Sequence, residues 1–437
     1  MTMKRWLVAF CCAWINLFIF AVLRSSGLIY VQLIELFRST HQQAAYSVSL
    51  IGSVASTTGL ASAFLSHYFT PQTLIISGII LCSFSVSITA AAKSIYHVIV
   101  TLGILQGIGI GLVTCLLPSI LTRHFTEQKS IALGISYAGA TLGAFIFPLI
   151  NQWMLNKFGF HLAMLLLGIL MLPALIGAIF LIVFDRNSQV IINSSQHRQP
   201  FKSDAQSVCF KSVDGKIASI EKATNVESED SDGFFRKLKH HILNDYRLLS
   251  NFYFFLCAFT YINFIIDFIA FIIILPDVAK EKNIDVSDSK WLLSIFAITD
   301  FIGRLLSGWL FYWKLTTEKF FYILSIFLLG LCMLLIVIVE RWINFVLVTL
   351  LCGFVSGSQM ILSPAILTNR FGSKNTAIAF GYENFICGII TIFLRPMIIG
   401  IKDVYGNYNC LGYILFISVI VNIALWSIHI IYRKFVK

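Results

Sequence analysis

Long apolar segments are the feature that most constrains how this chain of 437 residues folds. A helix needs roughly 20 apolar residues to cross a bilayer, whereas the strands of a membrane barrel alternate over about ten residues. The segments here are long and uniformly apolar, so the sequence predicts an all-α membrane protein with twelve transmembrane helices, called spans one to twelve below. They are predicted at 7–31, 44–66, 73–92, 95–121, 130–152, 161–184, 251–275, 291–313, 319–339, 342–367, 376–400 and 408–432.

The composition excludes several other classes of protein. Only 12% of the residues are charged and the mean hydropathy is +0.84, whereas an average soluble domain carries about 25% charge. A soluble enzyme, a disordered chain and a secreted disulfide scaffold are therefore excluded. The net charge of +11 is attributed to membrane sidedness, because no polar domain exists that would bind nucleic acid.

A polar segment at 185–250 separates the first six spans from the last six. It contains ten basic and nine acidic residues together with serine-rich stretches, a composition typical of disorder. We therefore predict three parts: an N-terminal six-helix bundle at 1–184, a disordered loop at 185–250 and a C-terminal six-helix bundle at 251–437.

The distribution of basic residues predicts the orientation. With the N-terminus inside, 21 Lys and Arg residues lie inside and eight lie outside. Basic residues accumulate on the cytoplasmic side of membrane proteins, so we expect both termini and the 185–250 loop to be cytoplasmic. A glycan on Asn193, in the sequon Asn193-Ser194-Ser195, would invert this topology.

Six charged residues fall within the predicted spans and away from their end residues, where a charge is energetically costly and is usually functional. The sharpest pair is Asp300 and Arg304, because a spacing of four places both on one helix face within ion-pairing reach. The alternative is a buried pair that only joins helices. The other four are Arg24, Asp267, Glu383 and Arg395.

These four residues have more than one interpretation. Arg24 either faces the interior or extends to the outer surface along its aliphatic stem. Asp267 is either a partner for one of the arginines or part of an outer vestibule. Glu383 and Arg395 lie closer to helix ends, where they are accessory structural or gating charges.

Glycines at intervals of four predict close helix packing, as for Gly103, Gly107 and Gly111 in span four and Gly139 and Gly143 in span five. The sequence lacks a phosphate loop, a Ser-His-Asp set, a metal-binding helix motif and zinc-type cysteine spacing. We therefore expect no enzyme activity, no cofactor and no metal site.

The chain resembles the monocarboxylate transporter family of the major facilitator superfamily, through all twelve spans. The resemblance rests on the span-eight charges and on motifs in spans one, five, ten and before span twelve. These are Arg24-Ser25-Ser26-Gly27-Leu28-Ile29-Tyr30-Val31; His124-Phe125 through Lys129, Ala132, Gly134, Ala138-Gly139, Gly143 and Pro148-Leu149; Asp300 and Arg304; Gly353-Phe354-Val355-Ser356-Gly357; and Asp403-Val404-Tyr405-Gly406-Asn407-Tyr408.

The resemblance implies two six-helix bundles around a central path with alternating access. It implies that Arg24 and Arg304 attract a substrate carboxylate, that Asp300 handles a proton and that Phe354 shapes the pore. The implied ligands are a small organic anion and a proton, and the implied location is the plasma membrane. A single-span accessory glycoprotein is a further candidate partner.

Departures from the family pattern keep alternatives open. The family's acidic-glycine-tryptophan opening is replaced by Lys4-Arg5-Trp6, and Ser66-His67-Tyr68-Phe69 stands where an Asp-Arg pattern is expected between spans two and three. An arginine at position 24 cannot release its proton at physiological pH, which leaves proton coupling to Asp300. The alternatives are a proton-independent carrier of an amino acid, creatine-like or hormone-like solute, and a non-transporting sensor on the same fold.

Overall fold

The computed structural model describes residues 2–184, 248–282, 286–373 and 375–435, and nearly all of them are helical. The predicted disordered loop lies outside these ranges except for its last three residues, and so does Asn193. The helices before and after it, Met1–Phe184 and Leu256–Lys437, form one compact unit. The three-part division at residues 184 and 250 stays a prediction.

Helices follow one another with short connections. In chain order they are Thr2–Ile19, Ala21–Arg24, Ser26–Phe37, His41–Leu65, Pro71–Thr89, Ile95–Val98, the π-helical Ile99–Leu105, Gln106–Thr114, Leu116–His124, Lys129–Met171, 174–184, Phe252–Glu281, Val286–Tyr312, Glu318–Ile338, Trp342–Phe371, Thr376–Tyr405 and Asn409–Phe435. Ten helical stretches of the described chain are long and apolar enough to cross a bilayer.

Two features explain the difference between these ten stretches and the twelve predicted spans. The stretch Lys129–Phe184 is 56 residues long, about twice the length of one crossing. Gly159, with φ 72° and ψ 175°, interrupts it where spans five and six are predicted to meet. Span one is divided into shorter helices. The helices are therefore consistent with twelve crossings, and the all-helical membrane architecture is confirmed.

The predicted span at 7–31 is helical but consists of three consecutive helices. The helix is interrupted at Phe20 and again at Ser25, whose φ is −90° and ψ is 5°. The Ser25 N–H is shared between the carbonyls of Ala21 and Val22, at 3.1 Å from each, and Gly27 beyond it lowers helix propensity. The second interruption directly follows Arg24, so it affects how that side chain is presented.

Consecutive spans joined by short connections run in opposite directions through a bilayer, which creates two faces. We call the terminal face the one that contains Thr2 and Phe435, the first and last described residues, and the connections 125–128, 313–317 and 372–375. The other, which we call the opposite face, contains the connections 38–40, 90–94, 339–341 and 406–408.

The predicted glycine packing is confirmed. A Cβ added to Gly107 of span four would lie 2.7 Å from the Cβ of Val54 in span two. A Cβ added to Gly139 of span five would lie 2.1 Å from the carbonyl oxygen of Ala13 in span one. Neither approach tolerates a side chain, so glycine allows these backbones to pack directly against one another.

Span eight is held closely between span five and span ten. A Cβ on Gly134 of span five would lie 2.2 Å from the carbonyl oxygen of Arg304, and one on Gly357 of span ten would lie 2.1 Å from that of Asp300. The backbone that carries both charges is therefore fixed from two sides.

Candidate functional site

Asp300 and Arg304 form a buried ion pair on span eight, as their spacing predicts. The Arg304 guanidinium donates from Nε to Asp300 Oδ2 at 2.9 Å and from Nη2 to Oδ1 at 3.0 Å. Each residue is only 3% exposed. Such two-pronged contacts are among the stronger side-chain interactions because both partners are charged and their planes match.

Span five completes the surroundings of this pair. Thr141 donates its hydroxyl to Asp300 Oδ2 at 3.2 Å, and Arg304 Nη1 donates to the backbone carbonyl of Tyr137 at 3.4 Å. Tyr137 and Thr141 are four residues apart, so one face of span five contacts both charges. The pair is therefore shared between the first six spans and the last six.

Arg24 contributes a third charge to the same region. Its charge interacts with Arg304, repulsively, and with Asp300, attractively. Its Nε atom is buried and has no hydrogen-bond partner among the described residues, which argues against extension to the outer surface. Arg24 is thus a cation near the ion pair whose Nε–H group is available to donate a hydrogen bond to a ligand.

Phe354 packs beside the pair through its backbone. A Cβ on Gly303 of span eight would lie 2.2 Å from the Phe354 carbonyl oxygen, and the side chain is partly exposed. This position next to the charged residues is compatible with a role in shaping the path, which stays a prediction.

Asp267 and Glu383 do not join the pair. Asp267 is 1% exposed and its Oδ2 has no hydrogen-bond partner in the described chain, so the structure does not support its pairing with either arginine. Glu383 is fully buried against Ser363 of span ten. Arg395 lies in the helix Thr376–Tyr405, and its side chain lies outside the described part of the chain.

A polar network that sequence reasoning missed joins the two sets of spans at the terminal face. Ser130 donates to Glu318 Oε1 at 2.7 Å, Lys129 donates to the side-chain oxygen of Asn369, and Asn369 donates to Glu318. We call these four residues the latch. Only Lys129 carried a sequence signal, as part of the motif entering span five.

Further contacts near the latch close the terminal face. A Cβ on Gly308 of span eight would lie 2.7 Å from the Ile131 Cα of span five, and Cys115 Sγ of span four donates to the carbonyl of Ala377 in span eleven at 3.5 Å. The molecule is therefore in a conformation whose halves touch at the terminal face. Within the described residues, no group of three or more His, Cys, Asp or Glu side chains is arranged to hold a metal.

Comparison with a sequence model of the Major Facilitator Superfamily gives matches over residues 6–269 and 254–434. Curated proteins with similar sequences include Monocarboxylate transporter 12 of Xenopus laevis, at 22% identity over 92% of this chain and 84% of that protein. Monocarboxylate transporter 13 of Bos taurus is 24% identical over 92% of this chain and 84% of that protein. Human Monocarboxylate transporter 2 is 22% identical over 90% and 78%.

A solved structure also resembles the fold. The crystal structure of the major facilitator transporter FucP in the outward conformation aligns with a TM-score of 0.61, over 96% of this chain and 97% of that one, at 16% sequence identity. At this identity the likeness establishes the fold alone. The predicted resemblance in sequence and in fold is confirmed.

Proposed function

Because this chain belongs to the Major Facilitator Superfamily and is a multi-pass membrane transporter rather than an enzyme, we propose that it carries small organic monocarboxylates by alternating access. The observation that carries the proposal is the buried pair Asp300–Arg304, placed between spans five and eight with Arg24 nearby. A guanidinium offers two parallel N–H donors that match a carboxylate. The names of the similar proteins support the same substrate class.

In the proposed cycle, the substrate carboxylate first meets Arg24, whose Nε is unpaired. It then competes with Asp300 for the N–H donors of Arg304. When the substrate displaces Asp300, that carboxylate loses its cation in a buried site, where an unpaired charge is strongly disfavoured. Asp300 then takes up a proton, and this couples substrate movement to proton movement.

Alternating access is supported by the contacts at the terminal face. The latch, the approach of Gly308 to Ile131 and the Cys115–Ala377 contact all join the first six spans to the last six there. Release of substrate on that side requires these contacts to separate while the two sets of spans rock about the central site.

The proposed setting is the plasma membrane with both termini in the cytoplasm, from the distribution of basic residues. The terminal face is then the cytoplasmic one. A single-span accessory glycoprotein is a candidate partner, and co-purification of the intact protein from cells tests for it.

The test is a panel of labelled monocarboxylates, amino acids and creatine-like solutes given to proteoliposomes that contain a pH-sensitive dye. The proposal expects uptake of a monocarboxylate with acidification of the lumen. Uptake without acidification identifies a proton-independent carrier, and saturable binding without flux identifies a sensor. Either result overturns the proposal as stated.

A further inference from the structure

A second acidic residue is buried in the membrane with an environment unlike that of Asp300. Glu383 of span eleven is 0% exposed. Its Oε2 accepts a hydrogen bond from the Ser363 hydroxyl of span ten at 2.6 Å. Its Oε1 is buried and has no hydrogen-bond partner in the described residues.

The two carboxyl groups therefore have different surroundings. Asp300 has hydrogen bonds on both oxygens and a guanidinium beside it. Glu383 accepts one hydrogen bond, from a hydroxyl group, and its other oxygen has no hydrogen-bond partner among the described residues. A buried anion without a partner is strongly disfavoured.

The side chains that face Glu383 are neutral groups. Cys257 and Tyr261 of span seven interact with it electrostatically, as does Cys387 one turn further along its own helix. Lys319 and Arg370 act on Cys257 from the terminal face, and among the described residues the hydrogen-bond partner of Glu383 is Ser363. The described surroundings therefore supply no cation that would hold Glu383 as an anion.

Glu383 lies in a helix that contacts the first six spans. A Cβ on Gly59 of span two would lie 3.2 Å from the Cβ of Asn384, the residue after Glu383, and one on Gly388 would lie 2.7 Å from the backbone nitrogen of Thr57. Cys115 of span four holds the start of span eleven through the carbonyl of Ala377. Separation of these contacts would admit water to the spans around Glu383.

We propose that Glu383 is a second proton-binding site, occupied in this conformation and emptied when the terminal face opens. A proton from water on the opposite face forms the O–H bond on Oε1, and the same bond breaks to release the proton to water on the terminal face. The place of this site in a transport cycle rests on the proposed function. The presence of the proton on Glu383 does not.

Infrared spectroscopy of the purified full-length protein at neutral pH tests the site directly. A protonated buried carboxyl group gives a carbonyl band that shifts in heavy water. In an Asp267→Asn background, which removes the other buried acid with an oxygen lacking a partner among the described residues, the band should be present, should vanish on Glu383→Gln and should be retained on Asp300→Asn. Comparison of Asp267→Asn with the wild type measures the part of the carbonyl band that comes from Asp267. Glu340→Gln changes an exposed glutamate and is the matched control, which should retain the band.

A Ser363→Ala variant guards against loss of the band through misfolding. It removes the donor to Oε2 and should move the carbonyl band of Glu383 to higher frequency without abolishing it. The proposal is overturned if a folded wild type lacks the band, or if the band persists unchanged in Glu383→Gln. Because no substrate is used, a failure of the proposed transport activity leaves these results interpretable.

The second measurement places the site in the cycle. In proteoliposomes, an inward proton gradient should drive a larger accumulation of substrate by the wild type than by Glu383→Gln, in which only Asp300 remains to couple protons. Accumulation that responds equally to the gradient in both proteins would contradict the coupling role.

Discussion

The guanidinium of Arg304 holds the carboxylate of Asp300 by two hydrogen bonds, of 2.9 Å from Nε and 3.0 Å from Nη2. The same N–H donors are those that a substrate carboxylate would use. In the proposed cycle, Asp300 therefore occupies the place of the substrate carboxylate in the conformation closed at the terminal face. The central claim is that substrate and Asp300 compete for Arg304.

The first prediction concerns the shape of the cation. Arg304→Lys keeps the charge but replaces the planar fork with a single ammonium group. Loss of one charge-assisted hydrogen bond, worth about 1.5–3 kcal/mol, should lower monocarboxylate uptake roughly tenfold or more. Uptake is measured against the amount of folded protein in each preparation, and wild-type uptake by the lysine variant would contradict a fork-like role.

The second prediction concerns the buried pair as a unit. Asp300→Ala leaves Arg304 buried without its anion, which should destabilise the fold by about 3–5 kcal/mol. The double variant Asp300→Leu with Arg304→Met removes both charges and should recover much of this loss while remaining inactive. Thermal unfolding in detergent measures the stability. If the double variant were as unstable as Asp300→Ala, the uncompensated charge of Arg304 would not be the cause of the destabilisation.

The third prediction concerns the approach of span five to span eight. A methyl group added by Gly134→Ala would meet the Arg304 carbonyl oxygen at 2.2 Å, whereas a Cβ on Gly52 meets nothing within 4 Å. Overpacking commonly costs about 1–3 kcal/mol, so Gly134→Ala should lower thermal stability and uptake, and Gly52→Ala should change neither. Equal behaviour of the two variants would contradict the packing argument.

Much of this site follows from the sequence, but only within single helices. The apolar segments predict the spans, and a spacing of four predicts the Asp300–Arg304 pair. Gly134 appeared only as one position of a motif, because a glycine does not reveal which backbone lies against it. Thr141 and Tyr137 carry no signal, since their contacts depend on the register between two spans far apart in sequence.

The sequence also does not predict two local irregularities of the backbone. The interruption at Ser25 falls in Arg24-Ser25-Ser26-Gly27, and the π-helical segment Ile99–Leu105 contains Thr101 and Gly103. Residues of these types also occur inside regular membrane helices, so they do not mark either position. Both depend on backbone hydrogen bonds that shift by one residue. Such shifts cost little and are decided by packing, so residue types alone do not predict them.

The fourth prediction concerns the latch. Glu318→Ala removes the acceptor of Ser130 and Asn369 and should favour opening of the terminal face. Cys115, which is 2% exposed, should then react faster with a membrane-impermeant thiol reagent added from that face, as mass spectrometry of its peptide would show. Glu127→Ala changes an exposed acid on the same face and should leave the rate unchanged. Equal rates in both variants would contradict the role of the latch.

The fifth prediction concerns pH and a cluster at the opposite face. Tyr408 donates to Asp277 Oδ2 at 2.8 Å. Burial, followed by this hydrogen bond and the Asp277 charge, raises the pKa of Tyr408 to about 12, above the value of about 10 for an unfolded chain.

The folded state therefore holds the Tyr408 proton more tightly than the unfolded state. The stabilisation is complete below about pH 10 and is lost as the pH rises towards about 12. Tyr408→Phe should lower the melting temperature at neutral pH and make its decline above about pH 10 less steep. Parallel declines in the two proteins would contradict this assignment.

The most direct test of the central claim is uptake of labelled lactate or pyruvate by proteoliposomes that contain the wild type or Arg304→Ala at equal amounts of folded protein. The account predicts saturable uptake by the wild type and none above protein-free vesicles by the variant. Uptake by Arg304→Ala equal to that of the wild type would contradict it.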